Sequence, residues 1–159
     1  MSKTAYDNDF LPPGTEVGNR YEIIRPIGTG GMGNVYLATD EVFGDKLVAI
    51  KLLHNQFTFQ KKYLQRFIRE VQLLSTINHP QIVRTFDVGV DKELVYFTME
   101  FVDGLPLHKA AQRGLIDMSD WGKIILQICE GLSAIHREGI VHQDLKPANI
   151  ILLPNKSIK

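Results

Sequence analysis

An α+β chain is predicted, with strands and one amphipathic helix over residues 21–101 and helices from there to about residue 138. Three observations carry this. β-Branched and aromatic residues alternate or cluster in residues 21–53 and again in residues 82–101, as strands require. Leu64, Phe67, Ile68, Val71 and Leu74 keep the three-and-four spacing of a helix stripe. Glycine and proline at Gly28, Pro80, Gly89, Gly114 and Gly139 punctuate these runs where elements should stop.

The size fits one globular domain, or part of a larger one: 159 residues, 44% of them hydrophobic. Eighteen basic residues balance eighteen acidic ones, so no polyanion such as a nucleic acid is expected as the main partner, and any phosphate binding is expected to be local. The one cysteine, Cys129, excludes an internal disulfide and suits a reducing cytosol; among Ile125, Ile128 and Leu132 it reads as a buried, inert thiol. Residues 1–13 lack the apolar core of a secretory signal, and no stretch reaches the length of a membrane span. A cytoplasmic protein is expected.

Taken in order, residues 1–20 read as a polar tail, punctuated at Pro12-Pro13-Gly14 and expected to be disordered at its start. Residues 21–27 form a strand that ends at Gly28, and residues 34–40 a second. A third spans residues 45–53. The helix of residues 61–77 stops at Asn78-His79-Pro80, because proline biases the residue before it away from helical angles. Strands at residues 82–88 and 94–101 follow, and Val95 to Met99 is apolar enough to be buried on both faces. A short helix over residues 105–113 closes at Gly114. Ser119 then caps a second helix, along which Trp121, Ile124, Ile125, Ile128, Leu132 and Ile135 form one stripe before Gly139 ends it.

The glycine run Gly28-Thr29-Gly30-Gly31-Met32-Gly33 admits three phosphate-binding readings. A dinucleotide fold needs its glycines to open a helix, yet Val35, Leu37 and Thr39 alternate as in a strand. A P-loop needs Lys and Ser/Thr after the last glycine, where Asn34 and Val35 stand. A glycine-rich hairpin remains, with backbone open to phosphates; the residues alone also fit a flexible hairpin without a ligand. Lys51, in an apolar strand, needs a partner or a path to water, because an unpaired buried ammonium is costly. Glu70, on the flank of the helix, is by itself an ordinary solvated charge. His136 and His142 have no cysteine or carboxylate cluster that would complete a zinc pattern.

The stretch His142-Gln143-Asp144-Leu145-Lys146-Pro147-Ala148-Asn149 puts an acid, a base and an amide on one short loop, which alone also fits a polar turn between helix and strand. Read with the GxGxxGxV glycines and Val48-Ala49-Ile50-Lys51, it resembles the eukaryotic-type protein kinases, in particular bacterial serine/threonine kinases, whose motifs serve as a general template for phosphoryl transfer. The resemblance covers residues 21–159. It implies a kinase-like fold with a complete N-lobe (antiparallel sheet plus helix) over residues 21–100, a hinge at 100–104, and the start of a helical C-lobe over 105–159.

It further implies ATP and Mg2+ as cofactors and a protein serine or threonine as acceptor. Asp144 would accept the hydroxyl proton, Lys146 would neutralise charge on the transferring phosphoryl group, and Asn149 would bind the metal. Ile27, Gly28, Gly30, Gly31, Gly33, Val35, Ala49, Lys51, Glu70, Met99, Glu100 and Val102 would form the nucleotide site. In it Lys51 pairs Glu70 and the phosphates, Met99 is the gatekeeper, and hinge backbone holds the adenine edge. Small-molecule kinases of the aminoglycoside type share HxDxxxxN but not the other motifs together.

Two departures qualify the resemblance. Gln143 stands where the family carries arginine, and a neutral amide cannot pair bidentately with a phosphorylated activation loop, so switching by that route is not expected. The sequence also ends at Lys159, before any DFG motif and its metal-binding aspartate. A non-catalytic nucleotide-binding or interaction module, a small-molecule kinase of the aminoglycoside type and a decayed remnant without activity are the alternatives, and little or no transfer is expected of the isolated chain.

Overall fold

The computed structural model describes residues 10–31, 33–54, 64, 65, 68, 71, 74–92 and 94–159. These form two compact units, one of Met1–Ser75 with Thr85–Phe101 and one of Thr76–Arg84 with Val102–Lys159.

The first unit is an antiparallel sheet. Its strands are β1 (Glu16–Val17), β2 (Tyr21–Gly30), β3 (Gly33–Asp40), β4 (Lys46–Leu53), β5 (Thr85–Asp91) and β6 (Leu94–Glu100), in the order β1-β2-β3-β4-β6-β5. The two-residue period of each strand sorts its side chains between faces. Tyr21 and Ile23 of β2, Tyr36 and Ala38 of β3, Val48, Ile50 and Leu52 of β4 and Tyr96 of β6 are buried together on one face. The described residues Leu64, Gln65, Ile68, Val71, Leu74 and Ser75 are helical, and Val71 is buried.

Within the stretch read as a tail, residues 10–20 are tied to the sheet. Leu11 and Val17 join the core, β1 pairs with β2, and Gly14 donates to the Ile23 carbonyl at 2.8 Å. The Leu11 amide donates to the Tyr36 hydroxyl at 3.2 Å, and that of Gly18 to the Asp91 carboxylate at 3.0 Å. Leu11→Ala is therefore expected to lower stability in urea unfolding by about 2–3 kcal/mol, where a disordered tail would show no change.

β6 departs from burial on both faces. Val95, Tyr96 and Thr98 are buried, whereas Phe97 and Met99 are half-buried. β5 begins at Thr85, three residues later than the apolar run at Ile82 implies.

The second unit holds α1 (Leu107–Gln112), α2 (Met118–Arg137) and the pair β7 (Leu105–Pro106) and β8 (Ile151–Leu152). Leu105 and Pro106 thus belong to a strand and not to the helix. Leu107, Ala110, Ile124, Ile150, Leu152 and Ile158 are the core, flanked by Trp121 and Ile128. Residues 151–159 fold back as a hairpin, with Ile151 and Lys159 exchanging backbone bonds of 2.8 and 2.9 Å. Gln127 of α2 holds this hairpin by accepting from the Ile158 amide at 3.1 Å.

Three helix expectations are corrected. Asp117, with no side-chain cap bond, precedes the first residue of α2, and Ser119 lies inside the first turn. Ile125 falls off the buried stripe at 55% exposure. Cys129 is exposed, not buried. Gly139 ends the helix as expected, at φ +71°, with its amide donating to the His136 carbonyl at 3.0 Å. No helix among the described residues is long and apolar enough to cross a membrane.

Candidate active site

The sheet face opposite the first unit's core carries most of the residues marked for nucleotide. Directly opposed residues of neighbouring strands point their side chains the same way, so register alone assembles two rows. One runs Val35, Lys51, Phe97 across β3, β4 and β6, and the other Leu37, Ala49, Met99. Gly28 extends the first row by pairing with Val35. The Lys51 ammonium stands 5.9 Å from the centre of the Phe97 ring. Ile27 is exposed at a register shift of β2, and Glu100 pairs with Val48 at the end of β6. Glu70 lies outside the described residues.

The glycines divide into two kinds. A Cβ on Gly33 would lie 2.0 Å from the Leu52 carbonyl oxygen, so this glycine exists for the close approach of β4. A Cβ on Gly28, Gly30 or Gly31 would meet nothing closer than 3.9 Å, so the side-chain side of these residues is open. That openness is what a phosphate-cradling hairpin needs. Two side chains brace the hairpin: the Thr29 hydroxyl donates to Asn34 Oδ1 at 2.8 Å, and a His54 ring nitrogen lies 3.2 Å from the Gly30 carbonyl.

In the second unit the loop after α2 is built around Asp144. Its amide donates to the His142 carbonyl at 2.8 Å, closing a three-residue turn with Gln143 at φ +61°. Such positive-φ γ-turns are rare and strained, and strain of this kind concentrates at functional sites. Pro147–Asn149 then form one 3-10 turn, and the buried Ile150, whose carbonyl accepts from Leu107 at 2.8 Å, pins the loop to the core.

Asp144, Lys146 and Asn149 converge. Lys146 Nζ reaches the two carboxylate oxygens at 3.0 and 2.9 Å. The Asn149 amide nitrogen donates to the Asp144 carbonyl at 2.9 Å and to its carboxylate at 3.0 Å. Lys146 first, and Asn149 second, hold the Asp144 carboxyl below the ordinary carboxylate range. The group is therefore ionised at neutral pH. With its NH2 committed to Asp144, Asn149 keeps its carbonyl oxygen as an acceptor, and an amide oxygen beside a carboxylate is a donor set that a hard cation such as Mg2+ accepts. Among the described residues no group of three or more His, Cys, Asp or Glu is placed to hold a metal ion. Val102 belongs to this unit, and its carbonyl accepts from the Gly104 amide at 3.1 Å.

Phe97 was missed by the sequence reading, although it stands two residues before Met99 on one strand and so shares its face. The turn at Gln143 was missed as well.

Comparison with known proteins shows the family. The model of the protein kinase domain family matches residues 21–159. Serine/threonine-protein kinase pkn2 of Myxococcus xanthus is 40% identical over 143 residues, which are 90% of this chain and 17% of that protein. Serine/threonine-protein kinase PrkC of Bacillus subtilis is 38% identical over 140 residues, 87% of this chain and 22% of that protein. A crystal structure of the Mycobacterium tuberculosis PknI kinase domain superposes with a TM-score of 0.79 at 26% identity, over 94% of this chain and 59% of that one. The chain thus spans about a fifth of the length of these curated relatives and three fifths of the solved domain. By its fold, its motif order and these matches, the chain belongs to the protein kinase domain family, and its relatives are bacterial serine/threonine kinases.

Proposed function

We propose that the chain supplies the nucleotide-binding sheet and catalytic loop of a serine/threonine protein kinase, which transfers the γ-phosphoryl group of ATP to a protein hydroxyl. The observation that carries this is the Asp144 carboxylate held by Lys146 and Asn149 on a strained loop. Residues 21–100 act as the N-lobe, 100–104 as the hinge and 105–159 as the beginning of the C-lobe. The domain works in the cytoplasm, where ATP is abundant.

In this reading Gly28, Gly30 and Gly31 put no side chain between the hairpin and the phosphates, and Lys51 offers the phosphates a cation from the sheet face. Val35 and Ala49 line the adenine side, with Ile27 at its rim and Met99 at its back, while backbone at Glu100 and Val102 meets the adenine edge. Glu70 orients Lys51. Asn149 would hold Mg2+ through its carbonyl oxygen, and when bound the ion supplies charge neutralisation between phosphates. Asp144, ionised and weakly basic, receives and orients the acceptor O–H, which suits a loose transition state that asks more for placement than for strong base. Lys146 neutralises charge gathering on the phosphoryl oxygens.

Lys51→Met is expected to weaken MgATP binding to this chain at least tenfold in calorimetric titration, and Asp144→Asn to leave it within about twofold. In a complete kinase domain that contains this segment, supplied with labelled ATP and a serine-bearing protein acceptor, Asp144→Asn is expected to lower transfer by about 10²–10⁴-fold. Equal MgATP affinity in Lys51→Met and wild type would sink this reading.

A further inference from the structure

The sheet face contains one aromatic residue that the nucleotide reading leaves without a role. Phe97 lies directly across the β4–β6 ladder from Lys51, with its ring centroid 5.9 Å from the ammonium. On the other side Lys51 faces Val35, and beyond Phe97 the row ends at Val88 of β5. Of the side chains in this row only Phe97 presents a π face, whose quadrupole attracts a cation; the two valines offer the ammonium nothing. The neighbouring row, Arg25, Leu37, Ala49, Met99 and Thr85, carries no ring, so the aromatic ring falls where the lysine is. Packing alone does not call for a ring here, since Phe97 is half-buried and a leucine or methionine would fill a similar volume.

We propose that Phe97 is a positioning residue for Lys51. Its ring restricts the flexible lysine stem and holds the ammonium over the sheet face, so less rotamer freedom is lost when a phosphate arrives. The inference rests on the reading of this face as the ATP site and adds to it a residue that never touches the nucleotide.

The test is a double-mutant cycle on the full chain, titrated with a fluorescent ATP analogue and Mg2+. Phe97→Leu is expected to weaken binding about two- to fivefold, and Phe97→Tyr, which keeps the ring, to bind like wild type. In a Lys51→Met background Phe97→Leu is expected to cause no further loss, because a residue that acts through Lys51 has nothing left to act on. Phe97→Met serves as a second ring-free variant should Phe97→Leu fold poorly. Equal losses in both backgrounds would make Phe97 a packing residue and overturn the inference, as would unaltered binding by Phe97→Leu and Phe97→Met. A wild-type chain that ignores the analogue, or a Lys51→Met chain that binds it equally, would instead overturn the nucleotide reading itself, and this inference with it.

Discussion

Gly33→Ala is expected to destabilise the first unit by about 3–5 kcal/mol and to lower its melting temperature by on the order of 10 °C, read by circular dichroism. A Cβ there would lie 2.0 Å from the Leu52 carbonyl oxygen, 2.9 Å from its carbon and 3.1 Å from Leu53 Cα. These are backbone atoms of the strand paired with Gly33, so no side chain can swing aside. Relief requires β3 and β4 to part, which breaks the ladder that sets Lys51 opposite Val35. Gly31→Ala is the contrast. Its Cβ meets nothing within 4 Å, so stability should change by less than about 1 kcal/mol, while MgATP affinity falls severalfold because the methyl obstructs the phosphate side. Two glycines of one motif are thus expected to do different work: Gly33 admits a strand, and Gly31, in the proposed reading, leaves room for the phosphates. Equal melting temperatures for Gly33→Ala and wild type would refute this division.

Much of this was legible in the sequence because it is local. Period-two runs located β2, β3, β4 and β6 to within a few residues, and the spacing of Asp144, Lys146 and Asn149 keeps the three on one loop, where their side chains meet. What was not legible depends on distant partners or on angles. Leu11 and Val17 are apolar residues without a strand or helix period around them, and only folding brings them to Tyr36 and the rest of the sheet core. Phe97 belongs to the Lys51 row through the β4–β6 register, which no run of residues announces. The side chain of Gln143 gives no sign that its backbone turns to φ +61°. Cys129 was misjudged by counting near neighbours in place of angles. At 100° per residue it sits about 140° around the helix from Ile124, away from the buried stripe. Ile125, about 100° around, shares that outward side.

Asp40→Asn is expected to lower stability at pH 7 by about 2–4 kcal/mol and to remove part of the acid sensitivity of the fold. Asp40 ends β3 at only 4% exposure, where an ionised carboxylate needs full pairing. Arg20 supplies a fork, Nε to Oδ1 at 2.9 Å and Nη2 to Oδ2 at 2.7 Å, and the Val42 amide adds a bond at 3.2 Å. The hydrogen bonds from Arg20 outweigh burial and hold the Asp40 carboxyl below its ordinary range, while the same pairing drives the Arg20 pKa upward. A carboxyl depressed in the folded state binds its proton more readily when unfolded. Its contribution is therefore complete above the unfolded value of about 3.9 and is lost as pH falls through the lower folded value. The other carboxylates titrate in both proteins, so the quantity to follow is the stability difference between wild type and Asp40→Asn. By urea unfolding that difference should stay level from pH 7 to pH 5 and shrink below pH 4. Arg20→Ala should cost more at neutral pH, about 3–5 kcal/mol, because it strands a buried charge in place of neutralising it. Arg20→Lys should recover only part of this, since a single ammonium cannot span both oxygens. A difference between wild type and Asp40→Asn that grows on acidification would show that Asp40 is not held ionised by Arg20.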